Sequence, residues 1–137
     1  MADCYSNYLR DKINDHVHGG PDFARPATTY FALMTVAPTA SGGGTEVTIG
    51  SGSYARVAFT NNSTNWPASS GQSKQNAVAI NWGTATANWG TIVAIAEYDA
   101  STAGNLLTFA ALGTSVTVNN GQPFQIPVNG GVYNWAV

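Results

Sequence analysis

The chain has 137 residues and a mass of 14.3 kDa, the size of one domain, and 9% of its side chains are charged, against about 25% in an ordinary soluble domain. Five Lys+Arg and seven Asp+Glu leave a net charge of −2, which excludes the clustered basic face that binding to a phosphate backbone requires. A hydrophobic content of 44%, with four Trp, six Tyr and five Phe, excludes a disordered chain, and Ser, Thr, Asn and Gly interrupt the uncharged stretches too often for a membrane span.

Charge is unevenly placed. Residues 1–25 hold Asp3, Arg10, Asp11, Lys12, Asp15, Asp22 and Arg25 together with both histidines, whereas the other 112 residues hold only Glu46, Arg56, Lys74, Glu97 and Asp99. The opening MADCYSNYLRDK lacks the basic start and apolar run of a secretory signal, so export by that route is not expected. A single cysteine, Cys4, leaves no internal disulfide and no metal cluster built on cysteine pairs. One domain is expected over 1–137, with a helical piece at 1–20 and a β body at 26–137.

The first predicted element is an amphipathic helix from Asp3 to His18. Tyr5, Leu9, Ile13 and Val17, with Tyr8 beside them, recur every three or four residues, and Arg10, Asp11, Asn14 and Asp15 fall on the opposite side. Asp3 is the expected N-cap, and Gly19-Gly20-Pro21 stops the helix. So short a helix is marginal alone, so its apolar stripe must dock on something.

After Pro26 the texture becomes β-branched, aromatic and small. Strands are predicted at Thr28–Val36, Ser53–Thr60, Gln75–Trp82, Thr91–Tyr98, Leu106–Leu112, Ser115–Val118, Pro123–Val128 and Val132–Trp135, separated by turn residues such as Ser41-Gly42-Gly43-Gly44 and Asn129-Gly130-Gly131. Seven or eight short strands at this spacing make a mainly β fold, an antiparallel β-sandwich of jelly-roll or Ig-like type preceded by one helix. Thr91–Ala96 is apolar on both faces, so the helix or a neighbouring subunit must cover the side away from the sandwich core. Asn119-Asn120-Gly121 predicts a hairpin joining the strands on either side of it, and Pro123 and Pro127 place the second of these at a sheet edge.

Asn-Trp-Gly-Thr occurs twice, at Asn81–Thr84 and Asn88–Thr91. The offset is too short for a repeat architecture. The simpler reading has both indoles packed at the corners of the sandwich; the other has them exposed as a sugar-stacking or subunit-binding platform, and Trp66 and Trp135 carry the same two readings. His16-Val17-His18 is not a metal pair on a helix, where positions two apart diverge, and His16 and His18 instead complement the negative helix end. Glu97 and Asp99 would share one strand face, the minimum for acid–base pairing, but Asp99 precedes a turn and turn-capping is its common duty. No nucleophile elbow, phosphate loop or metalloprotease signature occurs. Gly42-Gly43-Gly44 lacks the lysine and helix of a phosphate cradle. The glycosylation sequons at Asn61 and Asn62 are idle without export. No catalytic residue, cofactor site or metal site is therefore expected, and no enzyme.

Interface cores are poor in Lys, Glu and Asp and rich in aromatics, so a β body with five charged residues is expected to be enclosed by neighbours. Pro26–Leu33, Gly43–Val47, Ser53–Val57, Thr86–Thr91 and Gly104–Leu107, with the helix ending at Gly19-Gly20, resemble small tailed-bacteriophage virion proteins described as tail-fibre-like or head-decoration proteins. The resemblance implies a non-enzymatic virion component assembled in the host bacterial cytoplasm. With no repeat or extended tip in 137 residues, a capsid decoration or cement role is expected first, as a symmetric homo-oligomer, with a trimer matching local symmetry. Its partners would be further copies of itself and the major capsid or other virion proteins, with no nucleic acid and no membrane. The alternative is a tail-fibre or tail-associated protein, including a carbohydrate-binding module that touches a host surface glycan. The candidate interface or ligand contacts are Tyr5, Leu9 and Ile13 on the helix, and Trp66, Trp82, Trp89 and Trp135 at strand ends.

Overall fold

The computed structural model describes residues 5–134. One helix, α1 (Asn7–Val17), precedes nine strands: β1 (Thr28–Val36), β2 (Thr45–Glu46), β3 (Val57–Thr60), β4 (Ser73–Gln75), β5 (Ile80–Thr84), β6 (Gly90–Tyr98), β7 (Leu106–Val118), β8 (Pro123–Ile126) and β9 (Val132–Asn134). The fold is mainly β and all pairings are antiparallel. The main sheet has the order β2-β1-β6-β7, and β3 shares with β2 the outer edge of β1. Two two-stranded pairs, β5-β8 and β4-β9, accompany it.

The helix begins later than its periodicity suggests. Asp3, the expected cap, lies outside the described residues, and Ser6 is the cap, with its Oγ accepting from the Leu9 N–H at 3.1 Å. Tyr5 cannot be helical because it is held in an antiparallel bridge to Thr108 on β7. At the other end Gly19 takes φ +88° and the Gly20 N–H reaches the Asp15 carbonyl at 2.7 Å, the bond that closes a glycine-terminated helix.

Side-chain alternation explains the two layers. Along β1 the odd positions Phe31 and Leu33 face the inner core, where they meet Ile92 and Ile95 of β6 and Ile80, Trp82 and Phe124 from the β5-β8 pair. This is the sandwich-like contact. Even positions Ala32 and Met34 face the other way, opposite Ala96 and Ala94, and all four are buried. The side away from the core is therefore covered, as the two-sided hydrophobicity of these strands requires. The helix packs on β7, and its Asn7 N–H bonds the Ala40 carbonyl at 2.8 Å.

One gap in the sheet is closed by a side chain. On the edge of β1, β3 ends opposite Phe31 and β2 begins opposite Met34, which leaves the Leu33 N–H without a strand partner. The Tyr54 hydroxyl accepts it at 2.9 Å and donates to Glu46 Oε1 at 2.9 Å.

The Asn119-Asn120-Gly121 turn departs from expectation. β7 pairs with β6 and β8 pairs with β5, so the turn carries the chain from one layer to the other and makes no hairpin. Gly121 has the expected positive φ, but its N–H bonds the Ala85 carbonyl and the Asn120 N–H bonds Asn88 Oδ1. Turn chemistry fixes a local reversal and says nothing of which strands pair afterwards. The predicted strands Leu106–Leu112 and Ser115–Val118 are one strand whose register slips between Ile92 and Ala94, leaving Leu112–Ser115 unmatched on β6.

Candidate functional site

The seven residues singled out from sequence fall into three groups. Leu9 and Ile13 lie half-buried on α1, and Tyr5, also half-buried, sits beside β7. Trp66, Trp82 and Trp89 are at most 8% exposed and belong to the inner core. Trp135 lies outside the described residues.

Each buried indole has a specific seat. Trp66 packs edge-on against Phe59 at 5.2 Å and tilted against Phe31 at 6.4 Å. Trp82 packs edge-on against Phe124, and Trp89 against Tyr54. Trp89 Nε1 donates to the Ser51 and Gly52 carbonyls at 3.1 and 2.9 Å, whereas the buried Nε1 of Trp82 has no hydrogen-bond partner. The repeated Asn-Trp-Gly-Thr thus uses one device twice: a glycine with positive φ (Gly83, Gly90) follows an indole that is turned into the core. A platform of open ring faces, the second reading of these indoles, does not fit this burial.

The charges of the β body are mostly consumed internally. Arg56 grips Glu46 through Nε and Nη2, the latter at 2.8 Å, and its Nη1 donates to the Ala100 and Ala103 carbonyls. Asp99 caps its turn as expected, accepting from the Asn105 N–H at 2.7 Å and from Asn105 Nδ2 at 2.8 Å. Glu97 does not pair with it. Opposite Phe31 in the register, Glu97 is buried and accepts the Thr108 hydroxyl at 2.7 Å. His16 Nδ1 accepts the Phe23 N–H at 3.3 Å, and no group of three or more His, Cys, Asp or Glu that could hold a metal occurs among the described residues. Among the described residues no helix is long and apolar enough to cross a membrane.

Burial also shifts two hydroxyls. Desolvation pushes the Tyr54 hydroxyl far above its ordinary value, with the Leu33 N–H opposing and the Glu46 carboxylate reinforcing. Tyr98 moves the same way for the same first reason, against the pull of Arg56. Both hydroxyls therefore stay protonated at neutral pH.

Two openings meet at Trp66, Glu97 and Thr108. One, of about 530 Å³, runs between β7 and the β8–β9 segment and is mostly apolar, with Leu112, Val116 and Ile126 on its walls. The other, of about 450 Å³, is also mostly apolar in its lining, but Arg25, Asn61, Asn62, Ser63 and Lys74 border it beside Tyr5. Sequence reading missed both the second opening and Asn76, a fully buried amide that donates to the Val78 and Pro127 carbonyls and accepts from the Gly131 N–H. No local pattern marks either, since each depends on contacts between distant segments.

A β-rich domain with one short helix, few charged residues and three indoles buried in its inner core is the build of a structural component. The chain matches the family model described as podophage GP4 fiber I protein gp80 over residues 4–132, nearly its whole length, and it belongs to that family. It is a bacteriophage virion structural protein, in keeping with the resemblance carried by its short motifs. No curated protein matches the chain.

Proposed function

We propose that the chain is a non-enzymatic building unit of a fibre on the phage particle, joined to further copies of itself through the outer side of β7. The observation that supports this most is the run Phe109–Thr117, which holds no charged residue and no proline. Past the Tyr5–Thr108 bridge this side of β7 has no strand partner among the described residues. Ala111, Thr114, Ser115, Val116 and Thr117 are exposed there, beside the apolar cleft. Proteins that stay monomeric usually blunt such an edge with lysine or proline. Two copies meeting along it would place uncharged residues opposite uncharged residues, so nothing repels the approach.

Sedimentation and light scattering test this directly. The wild-type chain is expected to form a discrete oligomer, and the pair Thr114→Lys with Val116→Lys is expected to yield folded monomers. A wild-type monomer at high concentration, or an oligomer indifferent to both lysines, would overturn it. The word "fiber" in the family's description favours the fibre over a capsid decoration or cement role, which would use the same uncharged surface against the major capsid protein. Copy number on intact particles separates the two: a few at one vertex supports the fibre, hundreds over the head support decoration.

A further inference from the structure

Only five cations occur in the chain, and their fates differ. Arg10 and Lys12 lie on α1, and Arg56 is held by Glu46. The other two, Arg25 and Lys74, come from segments far apart in sequence and border the same 450 Å³ opening. Neither has a carboxylate within ion-pair distance among the described residues, and the Lys74 ammonium donates only to the Pro67 carbonyl at 2.9 Å. Two cations against the single carboxylate of Glu97 leave this concavity net positive, a field that attracts an anion.

The rest of the lining narrows the chemistry. Asn61 donates its Nδ2 to the Pro26 carbonyl, which leaves Oδ1 to accept; Asn62 accepts from the Thr64 and Asn65 N–H groups, which leaves its NH₂ to donate. Ser63 and Thr108 add hydroxyls, and Tyr5 and Trp66 supply aromatic wall. Amide and hydroxyl groups around an aromatic wall suit a ring with an apolar face and a hydroxylated rim. Glu97 also borders the opening, so Arg25, Lys74 and Glu97 sum to one positive charge. A single carboxylate balances that sum, whereas a phosphate monoester, at about −1.5 to −2, exceeds it.

We propose that this pocket binds an acidic saccharide residue of the uronic-acid type, its carboxylate on Arg25 and Lys74 and its hydroxyls on Asn61, Asn62 and Ser63. The site does not use the exposed indoles considered from sequence; Trp66 enters it only as an edge of the core.

Calorimetric titration with tetragalacturonate tests the assignment, with maltotetraose as the neutral control and glucose 6-phosphate as the phosphorylated one. Saturable binding of tetragalacturonate at least tenfold tighter than either control is expected. Arg25→Gln with Lys74→Gln should weaken it at least tenfold. Asn62→Asp keeps the side-chain oxygen that caps the local turn and adds a negative charge at the rim, so it should weaken binding while the circular dichroism spectrum and unfolding midpoint stay unchanged. Absence of binding, equal affinity for maltotetraose, preference for the phosphate, or indifference to the Arg25 and Lys74 changes would each overturn the proposal. The oligomeric state of the same samples is read separately, so failure here leaves the β7 assembly test intact.

Discussion

The guanidinium carbon of Arg56 lies 3.8 Å from the centre of the Tyr98 ring while the same group holds Glu46 through a 2.8 Å ion pair. Tyr98 ends β6 and Arg56 precedes β3, so the contact reaches across β1. The side chains of Arg56 and Glu46 are only 5% and 17% exposed. A pair so enclosed contributes little net stability when intact, because desolvation offsets attraction, but its disruption leaves a buried charge. Arg56→Met is therefore expected to cost roughly 3 kcal/mol in urea unfolding. It should also release the turn after Asp99, whose Ala100 and Ala103 carbonyls Arg56 ties down; faster amide exchange from 100 to 105 would report that.

The tyrosine shifts give stability a defined pH dependence. Tyr54 titrates at an ordinary 10.0 in the unfolded chain and well above it in the fold. A raised folded value means the stabilisation is complete below that ordinary value. As pH climbs past 10.0 the unfolded state loses its proton first and unfolding gains ground, by about 1.4 kcal/mol per pH unit from one such group. Urea midpoints should therefore fall from pH 10 upward, and Tyr54→Phe should flatten the slope although it lowers stability at pH 7 by stranding the Leu33 N–H.

Asn76 joins the nearby Val78 carbonyl to two groups of a distant segment, the Pro127 carbonyl and the Gly131 N–H, 51 and 55 positions away. Asn76→Ala strands all three, and buried unpaired groups cost about 1–3 kcal/mol each before water reaches them. A loss of roughly 3 kcal/mol is expected, with exchange protection lost first at 127–131. A loss below about 0.5 kcal/mol, the range of ordinary surface changes, would show that the amide is dispensable.

Gly52 carries the Trp89 seat. Its φ is +51°, and a Cβ there would stand 2.3 Å from the Ala87 nitrogen. The clash is with backbone, so the loop around Gly52 must move and its carbonyl must leave the indole Nε1. Gly52→Ala is expected to destabilise by roughly 3 kcal/mol and to shift the tryptophan emission as Trp89 loses its packing.

What sequence could disclose depended on how local the cause was. β1 runs from Thr28 to Val36 as predicted, because a strand apolar on both faces and bounded by Pro26 and Pro38 has no competing structure. The helix stop at Gly19 was equally local. Its start was not: Ser6 caps only because Tyr5 is pinned to Thr108, a contact made 103 positions away. The short β2 was missed because Thr45–Glu46 has no pattern of its own and exists only where β1 offers an edge. Of the candidate contacts, Trp66, Trp82 and Trp89 carried two readings in the sequence and only their packing in the inner core decides between them, whereas the second opening required Arg25, Asn61 and Lys74 to be brought together by folding.

Salt separates the two proposed interactions. Assembly through Phe109–Thr117 joins surfaces without charged side chains, so Debye screening has nothing to weaken, and burial of apolar area strengthens slightly with excluded salts. Oligomer dissociation constants should therefore change less than about threefold between 0.05 and 0.5 M sodium chloride, where the screening length shortens from roughly 14 to 4 Å. Acidic saccharide binding rests on Arg25 and Lys74, whose groups meet solvent at the rim, and should fall steeply over the same range. Measured on one preparation, a flat oligomer curve beside a falling glycan curve is the expected pair. An oligomer that dissolves with salt would mean that ion pairs hold it, and the uncharged edge of β7 would then be the wrong surface.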